Sequence, residues 1–89
     1  MIRREVTLVN RLGLHARAAS RLVQAAAAHP CDVWLERDDR RVNAKSIMGV
    51  LMLAAPCGST LVLECDGSGE QAACEELEAL IADRFGEEQ

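Results

Sequence analysis

Aromatic residues are nearly absent from this 89-residue sequence, which has one tryptophan, one phenylalanine and no tyrosine. The core must therefore consist of aliphatic side chains, which a hydrophobic content of 49% makes feasible. The length suffices for one compact domain and is too short for two, so residues 1–89 are expected to form a single domain. Because a small domain buries a smaller fraction of its surface than a large one, we expect modest stability.

The sequence also lacks a basic cluster and a long apolar segment. A net charge of −4 without any basic run argues against a nucleic-acid partner. The longest apolar stretch, residues 47–55, is too short to cross a bilayer. No apolar segment follows the charged N-terminal residues, as it would in a signal peptide. These absences predict a cytoplasmic protein with neither a membrane nor a nucleic acid as its partner.

Metal-site and disulfide patterns are missing as well. Cys31, Cys57, Cys65 and Cys74 form no C-x-x-C pair and match no zinc-site spacing. His29 lies near Cys31, but one such pair is far short of a metal site. We therefore expect no bound metal. Without an export signal, reduced thiols are the favoured interpretation, and a disulfide framework is the weaker alternative.

Hydrophobic periodicity divides the chain into seven elements. Alternation predicts strands over residues 2–9, Cys31–Arg37, Arg40–Asn43 and Thr60–Cys65. Helical spacing predicts helices from Ala16 to about Ala28, from Ser46 to about Leu53, and from a capping box at Ser68 and Gln71 to about Phe85. The order βαββαβα predicts a two-layer α/β sandwich in which helices cover one face of an antiparallel sheet. On this arrangement Trp34 packs on the open face of the sheet.

A histidine stands at the predicted start of the first helix, in the segment Gly13-Leu14-His15-Ala16-Arg17. The first N–H groups of a helix have no internal partner and carry partial positive charge, so they stabilise a nearby anion. Arg17 adds a cation that can bind phosphate oxygens. The same positive field favours the neutral, nucleophilic form of His15. The alternative is that His15 is an ordinary loop residue, since the sequence offers no clear partner base.

The predicted second helix is apolar nearly all round. Its apolar residues divide at helical spacing into one arc with Val50, Leu53 and Ala54 and another with Met48, Leu51 and Met52. A helix of two turns on a small domain can bury only one arc, so we expect the arc with the two methionines to form an exposed docking patch. Methionine suits a surface that must fit several partners. The alternative is that this helix lies wholly in the core.

Two motifs resemble the HPr family, the histidine phosphocarriers of the bacterial phosphoenolpyruvate-dependent phosphotransferase system. They are Gly13-Leu14-His15-Ala16-Arg17 and Asn43-Ala44-Lys45-Ser46-Ile47-Met48-Gly49-Val50. The resemblance covers essentially the whole chain and implies the family's open-faced sandwich, with three helices over a four-stranded antiparallel sheet. It also implies that His15 carries phosphate on Nδ1 and that Arg17 assists transfer. Ser46 matches the serine that a dedicated kinase modifies in some bacteria.

The resemblance further implies partners. Enzyme I would phosphorylate the carrier, and a IIA domain would receive the phosphoryl group, so the protein needs no cofactor and is not an independent enzyme. We expect a monomer whose partner-binding residues are Ala16, Lys45, Ile47, Met48, Leu51 and Met52. Sugar transport and nitrogen-related regulation both stay open as the branch it serves. One alternative is a regulatory binding module of the same fold with a vestigial His15. Another is an acylphosphatase-like hydrolase, for which no phosphate-cradling loop is found.

Ala18 departs from the family pattern, which usually has proline at this position. Proline suits the first turn of a helix, because its missing N–H would have no intrahelical partner there. Alanine leaves the unfolded chain freer, which should lower stability by about 0.4–1 kcal/mol. The change leaves His15, Arg17 and the neighbouring amide groups in place, so we expect function to be retained.

Overall fold

The computed structural model describes residues 1–88, and the order of its elements is the predicted βαββαβα. The elements are β1 (Ile2–Thr7), α1 (Ala16–Ala27), β2 (Asp32–Arg37), β3 (Arg40–Asn43), α2 (Ile47–Met52), β4 (Thr60–Asp66) and α3 (Glu70–Ala82). A short 3₁₀ turn at Arg84–Gly86 follows α3. The first strand ends at Thr7 and not at residue 9, because Ser59 N donates to Pro56 O in a turn and does not return the hydrogen bond that Leu8 N makes to Ser59 O.

The strands form one antiparallel sheet in the order β1-β4-β2-β3. Alternate residues of β2 and β4, among them Leu35 and Leu63, face the helices and are fully buried. They meet aliphatic residues such as Leu22 of α1 and Leu77 of α3 in the core. The predicted open-faced sandwich, with three helices on one face of the sheet, is confirmed.

Charged side chains cover the opposite face of the sheet. Glu64 is only 5% exposed and accepts hydrogen bonds from Arg41 Nη2 at 2.7 Å and Arg3 Nη1 at 2.5 Å. The Arg41 bond is the largest influence on Glu64 and, together with Arg3, it outweighs the effect of burial, so the pKa of Glu64 falls to about 2. Arg41 also lies 4.7 Å from the centre of the Trp34 ring. Trp34 therefore packs on the open face, as predicted.

The start of α3 differs from the prediction. Ser68 does not cap the helix; the N-cap is Gly69, which has a φ of +75° and makes no side-chain capping bond. This left-handed conformation is easily adopted by glycine, and α3 therefore begins at Glu70. The Glu70 carboxylate accepts a hydrogen bond from Gly67 N at 3.2 Å. The predicted capping box of Ser68 and Gln71 is wrong. The predicted end near Phe85 is wrong as well, since α3 ends at Ala82 and Arg84 and Phe85 have positive φ angles.

Candidate functional site

The loop before α1 is fixed by close backbone contacts. Leu14 N donates to Ala55 O at 2.9 Å, and His15 N donates to Gly13 O at 2.9 Å. Gly13 has a φ of +64°, and a Cβ atom placed on it would lie 2.4 Å from Ala55 O. Only glycine fits both the backbone angle and this approach. The glycine that precedes the histidine in the sequence therefore sets where α1 begins.

His15 is the N-cap of α1, and its side chain is 27% exposed. The predicted position at the start of the first helix is confirmed, and the ring is partly exposed. The first intrahelical hydrogen bond runs from Ala19 N to His15 O at 2.8 Å. The amide groups of Ala16, Arg17 and Ala18 precede it, so they lack intrahelical acceptors. An anion on the ring would lie near these groups and near Arg17, which is exposed on the first turn of α1.

The ring of His15 contacts a carboxylate from the C-terminal segment. Nε2 of His15 lies 2.5 Å from Oε2 of Glu87. The amide nitrogen of Asn10 donates to the other Glu87 oxygen at 3.1 Å and to Gly13 O at 2.7 Å. Burial opposes ionisation of Glu87, but the hydrogen bonds from Asn10 and His15 and the charge of Arg17 outweigh it, so the pKa of Glu87 is lowered.

Sequence reasoning missed Glu87, which lies 72 positions from His15 along the chain. The chain reverses direction after α3, because Arg84 and Phe85 both have positive φ angles, of +55° and +54°. This reversal places Glu87 beside His15. The Phe85 side chain is fully buried, and its carbonyl accepts a hydrogen bond from Arg21 of α1. A large apolar residue just beyond the last helix was the one available signal, since it indicates that the chain folds back onto the core.

A surface depression of about 780 Å³ lies beside the histidine. Its lining includes His15, Glu87 and the guanidinium-bearing residues Arg11, Arg17 and Arg21. Guanidinium groups bind phosphate oxygens in a planar, forked geometry. The depression thus combines a nucleophilic ring with cations suited to an anionic group.

Ser46 is the N-cap of α2, and its Oγ accepts a hydrogen bond from Gly49 N at 3.2 Å. The predicted start of the second helix at Ser46 is confirmed, and Ser46 caps it. The neighbouring Lys45 donates from Nζ to the His29 carbonyl at 2.8 Å, which ties the start of α2 to the residues that follow α1. Lys45 is therefore half-buried and already engaged within the molecule.

The two arcs of α2 separate largely as predicted. Val50 and Leu53 are buried, whereas Met48 and Met52 are 66% and 60% exposed. Ile47 is exposed as well, and Leu51 is half-buried against the core. The placement of Ala54 in the buried arc is wrong: α2 ends at Met52, and Ala54 is exposed with a φ of +49°.

Metal-binding groups and membrane-spanning helices are both missing from the part of the chain that the structure describes. No group of three or more His, Cys, Asp or Glu residues within 1–88 is placed to bind a metal ion. None of the helices described there is long and apolar enough to cross a membrane.

Comparison with known proteins identifies the family of this chain. Residues 2–83 match the PTS-HPr family, described as the "PTS HPr component phosphorylation site". The phosphocarrier protein HPr of Cupriavidus necator is 55% identical over 98% of both chains. The crystal structure of HPr-C-His from Thermoanaerobacter tengcongensis is 39% identical over the full length of both chains, with a TM-score of 0.96.

An HPr dimer from the same organism is also similar, with 40% identity, a TM-score of 0.79 and coverage of 92% of this chain and 94% of that one. The family match spans both site motifs and nearly all of the fold. The chain belongs to the HPr family of phosphocarrier proteins of the bacterial phosphotransferase system.

Proposed function

We propose that this protein carries a phosphoryl group on Nδ1 of His15, accepting it from phospho-enzyme I and passing it to IIA domains. The observation that supports this most directly is the position of His15 as the partly exposed N-cap of α1, beside Arg17. The first-turn amide groups favour an anion on the ring, and Arg17 supplies a cation within the same depression.

The chemistry asked of the protein is limited. The lone pair of the neutral imidazole attacks the phosphorus atom of the donor, and the donor's bond to phosphorus breaks with its electron pair left on the donor atom. Such a transfer depends mainly on alignment and on stabilising the charge of the phosphoryl group. The protein is then a carrier that works without a cofactor, with the partner proteins supplying the rest of the catalytic groups.

The exposed apolar face of α2 is proposed to bind these partners. Its residues are Ile47, Met48, Leu51 and Met52, and they are joined by Ala16 on α1 and by Lys45. α1 and α2 pack together, so one partner can contact both helices at once. Successive use of one surface would make enzyme I and the IIA domain compete. We further propose that residues 1–89 act as one domain, as a monomer in the cytoplasm.

Phosphorylation of Ser46 by a serine kinase is the proposed means of regulation. A phosphate there would lie at the N-terminus of α2, which tolerates an anion, so little refolding is expected. The same phosphoryl-carrying site would serve either the sugar-transport branch or the nitrogen-related branch of the phosphotransferase system. Carriage to a sugar permease is the leading role, and nitrogen-type regulation is the alternative; transfer assays with a IIA domain of each kind separate them.

Uptake of labelled phosphate from phosphoenolpyruvate and enzyme I tests the carrier function. We expect one acid-labile phosphoryl group per wild-type molecule, located on Nδ1 by NMR, and none on His15→Ala. His29→Ala is the matched control, because it removes the other histidine, which pairs with Glu76 away from the site. Undiminished uptake by a folded His15→Ala variant would overturn the proposal.

A further inference from the structure

We propose that Glu87 is a positioning residue that fixes the tautomer and orientation of the His15 ring and so leaves Nδ1 as the attacking nitrogen. The inference deepens the proposed function and rests on it. It concerns a residue that lies beyond the family motifs and beyond the end of α3.

The contact with Glu87 determines which nitrogen of His15 carries the proton. Nε2 of His15 lies 2.5 Å from Glu87 Oε2, which is a short hydrogen-bond distance. An ionised carboxylate can only accept, so Nε2 must donate and therefore carries the proton. A neutral imidazole has a single N–H, and its lone pair is then on Nδ1. No hydrogen bond reaches Nδ1 from residues 1–88, so this nitrogen is available for attack.

The Glu87 carboxylate is itself held in place from two sides. Asn10 is fully buried, and its amide group joins Glu87 to the Gly13 carbonyl. On the other side, the buried Phe85 anchors the chain two residues before Glu87, and Arg21 binds the Phe85 carbonyl. The acceptor oxygen is therefore oriented before any donor arrives. A ring with a preset orientation loses less conformational freedom on reaching the reactive geometry.

The Glu87 carboxylate also faces the positive charge that the His15 ring gains during transfer. As the Nδ1–P bond forms, the bond between phosphorus and the donor breaks, and its electron pair stays on the donor. The ring has given up its lone pair and gains positive charge, while the proton stays on Nε2, shared with Glu87. The carboxylate stabilises that charge, and the reverse occurs when the phosphoryl group leaves. The other charged residues that line the depression around the ring are Arg11, Arg17, Arg21 and Glu88.

Imidazole ¹⁵N NMR tests the tautomer without any phosphoryl donor. At a pH where the ring is neutral, we expect wild-type His15 to show only the Nε2–H form. Glu87→Ala should show the mixture of both forms that a free imidazole populates. Glu88→Gln is the matched control, since it removes the adjacent negative charge and should leave the spectrum unchanged. Identical His15 spectra for wild type and Glu87→Ala would overturn the proposal.

Kinetics with phospho-enzyme I separate positioning from docking. We expect Glu87→Ala to lower kcat roughly tenfold with little change in KM, because the ring loses its orientation and the docking surface is intact. Glu87→Gln should lose less, since its carbonyl oxygen can still accept from Nε2–H. An unchanged kcat, or a loss confined to KM, contradicts the positioning role. Phosphate uptake by His15→Ala would instead refute the carrier function and leave the tautomer result standing.

Discussion

In the proposed carrier, backbone amide groups and one side chain near His15 share the binding of the phosphoryl group. The amide groups of the first turn of α1 are supplied by the fold and remain in any variant that folds. Arg17 supplies a full charge, and its exposed guanidinium makes no hydrogen bond with residues 1–88, although its charge helps to lower the pKa of Glu87. Its contribution can therefore be measured without breaking a side-chain hydrogen bond.

Arg17→Ala should slow phosphoryl transfer in both directions without preventing it. One charged donor is lost while the helix amides stay, so we expect a rate reduction of roughly 10- to 100-fold. Arg17→Lys keeps the charge but not the forked geometry, so its transfer rate should lie between those of wild type and Arg17→Ala. Stopped-flow kinetics with enzyme I and a IIA domain measure all three proteins. Equal rates for wild type and Arg17→Ala would make Arg17 a surface charge only.

Ser46 offers a second test at this scale, because its capping role and its proposed regulatory role respond to different substitutions. Ser46→Ala removes the acceptor for Gly49 N and should lower the free energy of unfolding by about 1 kcal/mol, with normal phosphorylation of His15. Ser46→Asp can still cap the helix and should keep that stability. Its added charge should slow phosphorylation by enzyme I through repulsion of an acidic partner surface.

Ionic strength separates the two effects. The defect of Ser46→Asp should shrink as salt rises, because exposed charges are screened within about 10 Å at 0.1 M salt. Thermal unfolding and enzyme I kinetics at low and high salt measure stability and docking independently. Normal kinetics for Ser46→Asp at low salt would leave Ser46 with the capping role alone.

At the scale of whole elements, α2 is short, and only one of its sides is buried. Met48 and Met52 contribute little to the core, so replacing them changes the surface with little cost in stability. The double variant Met48→Ala/Met52→Ala should therefore raise KM for enzyme I and for the IIA domain while kcat stays near the wild-type value. Steady-state kinetics with each partner measure the effect.

Val9→Ala is a suitable control for this docking test. Val9 is 47% exposed and follows β1, at the opposite edge of the sheet from β3, which packs beside α2. Val9→Ala removes exposed apolar surface, as the methionine variant does, but at a site away from α2. Chemical-shift mapping with each partner should give overlapping footprints that include α2. Two separate footprints, or an equal effect of Val9→Ala, would contradict a shared docking surface.

Periodicity alone identified the elements, because each strand and helix buries one face and the pattern of apolar residues records it. The caps depended on local chemistry and were less predictable: Ser46 caps α2, but the left-handed Gly69 displaced Ser68 at α3. Ala54 was misplaced because helical spacing was extended past the point where the backbone leaves the helix.

The contact between Glu87 and His15 could not be predicted from the sequence, since Phe85 indicates only that the chain folds back onto the core and not which residue it brings to His15. Its position depends on two residues with positive φ and on burial of Phe85, which are properties of the folded chain.

Across the whole molecule, the sheet has one aliphatic face and one charged face. On the charged face Glu64 is nearly inaccessible to solvent and is paired with Arg3 and Arg41. The two arginines lower the pKa of Glu64 from 4.5 to about 2. Because the folded state favours the ionised form, this pairing stabilises the protein fully above pH 4.5, and the stabilisation is lost as the pH falls toward 2.

Acid should therefore unfold the protein partly through this one carboxylate. Since one pKa unit corresponds to about 1.4 kcal/mol, a fall from 4.5 to about 2 limits the contribution of Glu64 to about 3–4 kcal/mol. Urea unfolding across this pH range should show the free energy falling with acidity in the wild type. Glu64→Gln should be less stable at pH 7 and should lose less stability on acidification. Glu5→Gln, at an exposed position of β1, should retain the wild-type slope because its charge is in solvent. Parallel pH profiles for wild type and Glu64→Gln would mean that the arginine pair does not stabilise the folded state through Glu64.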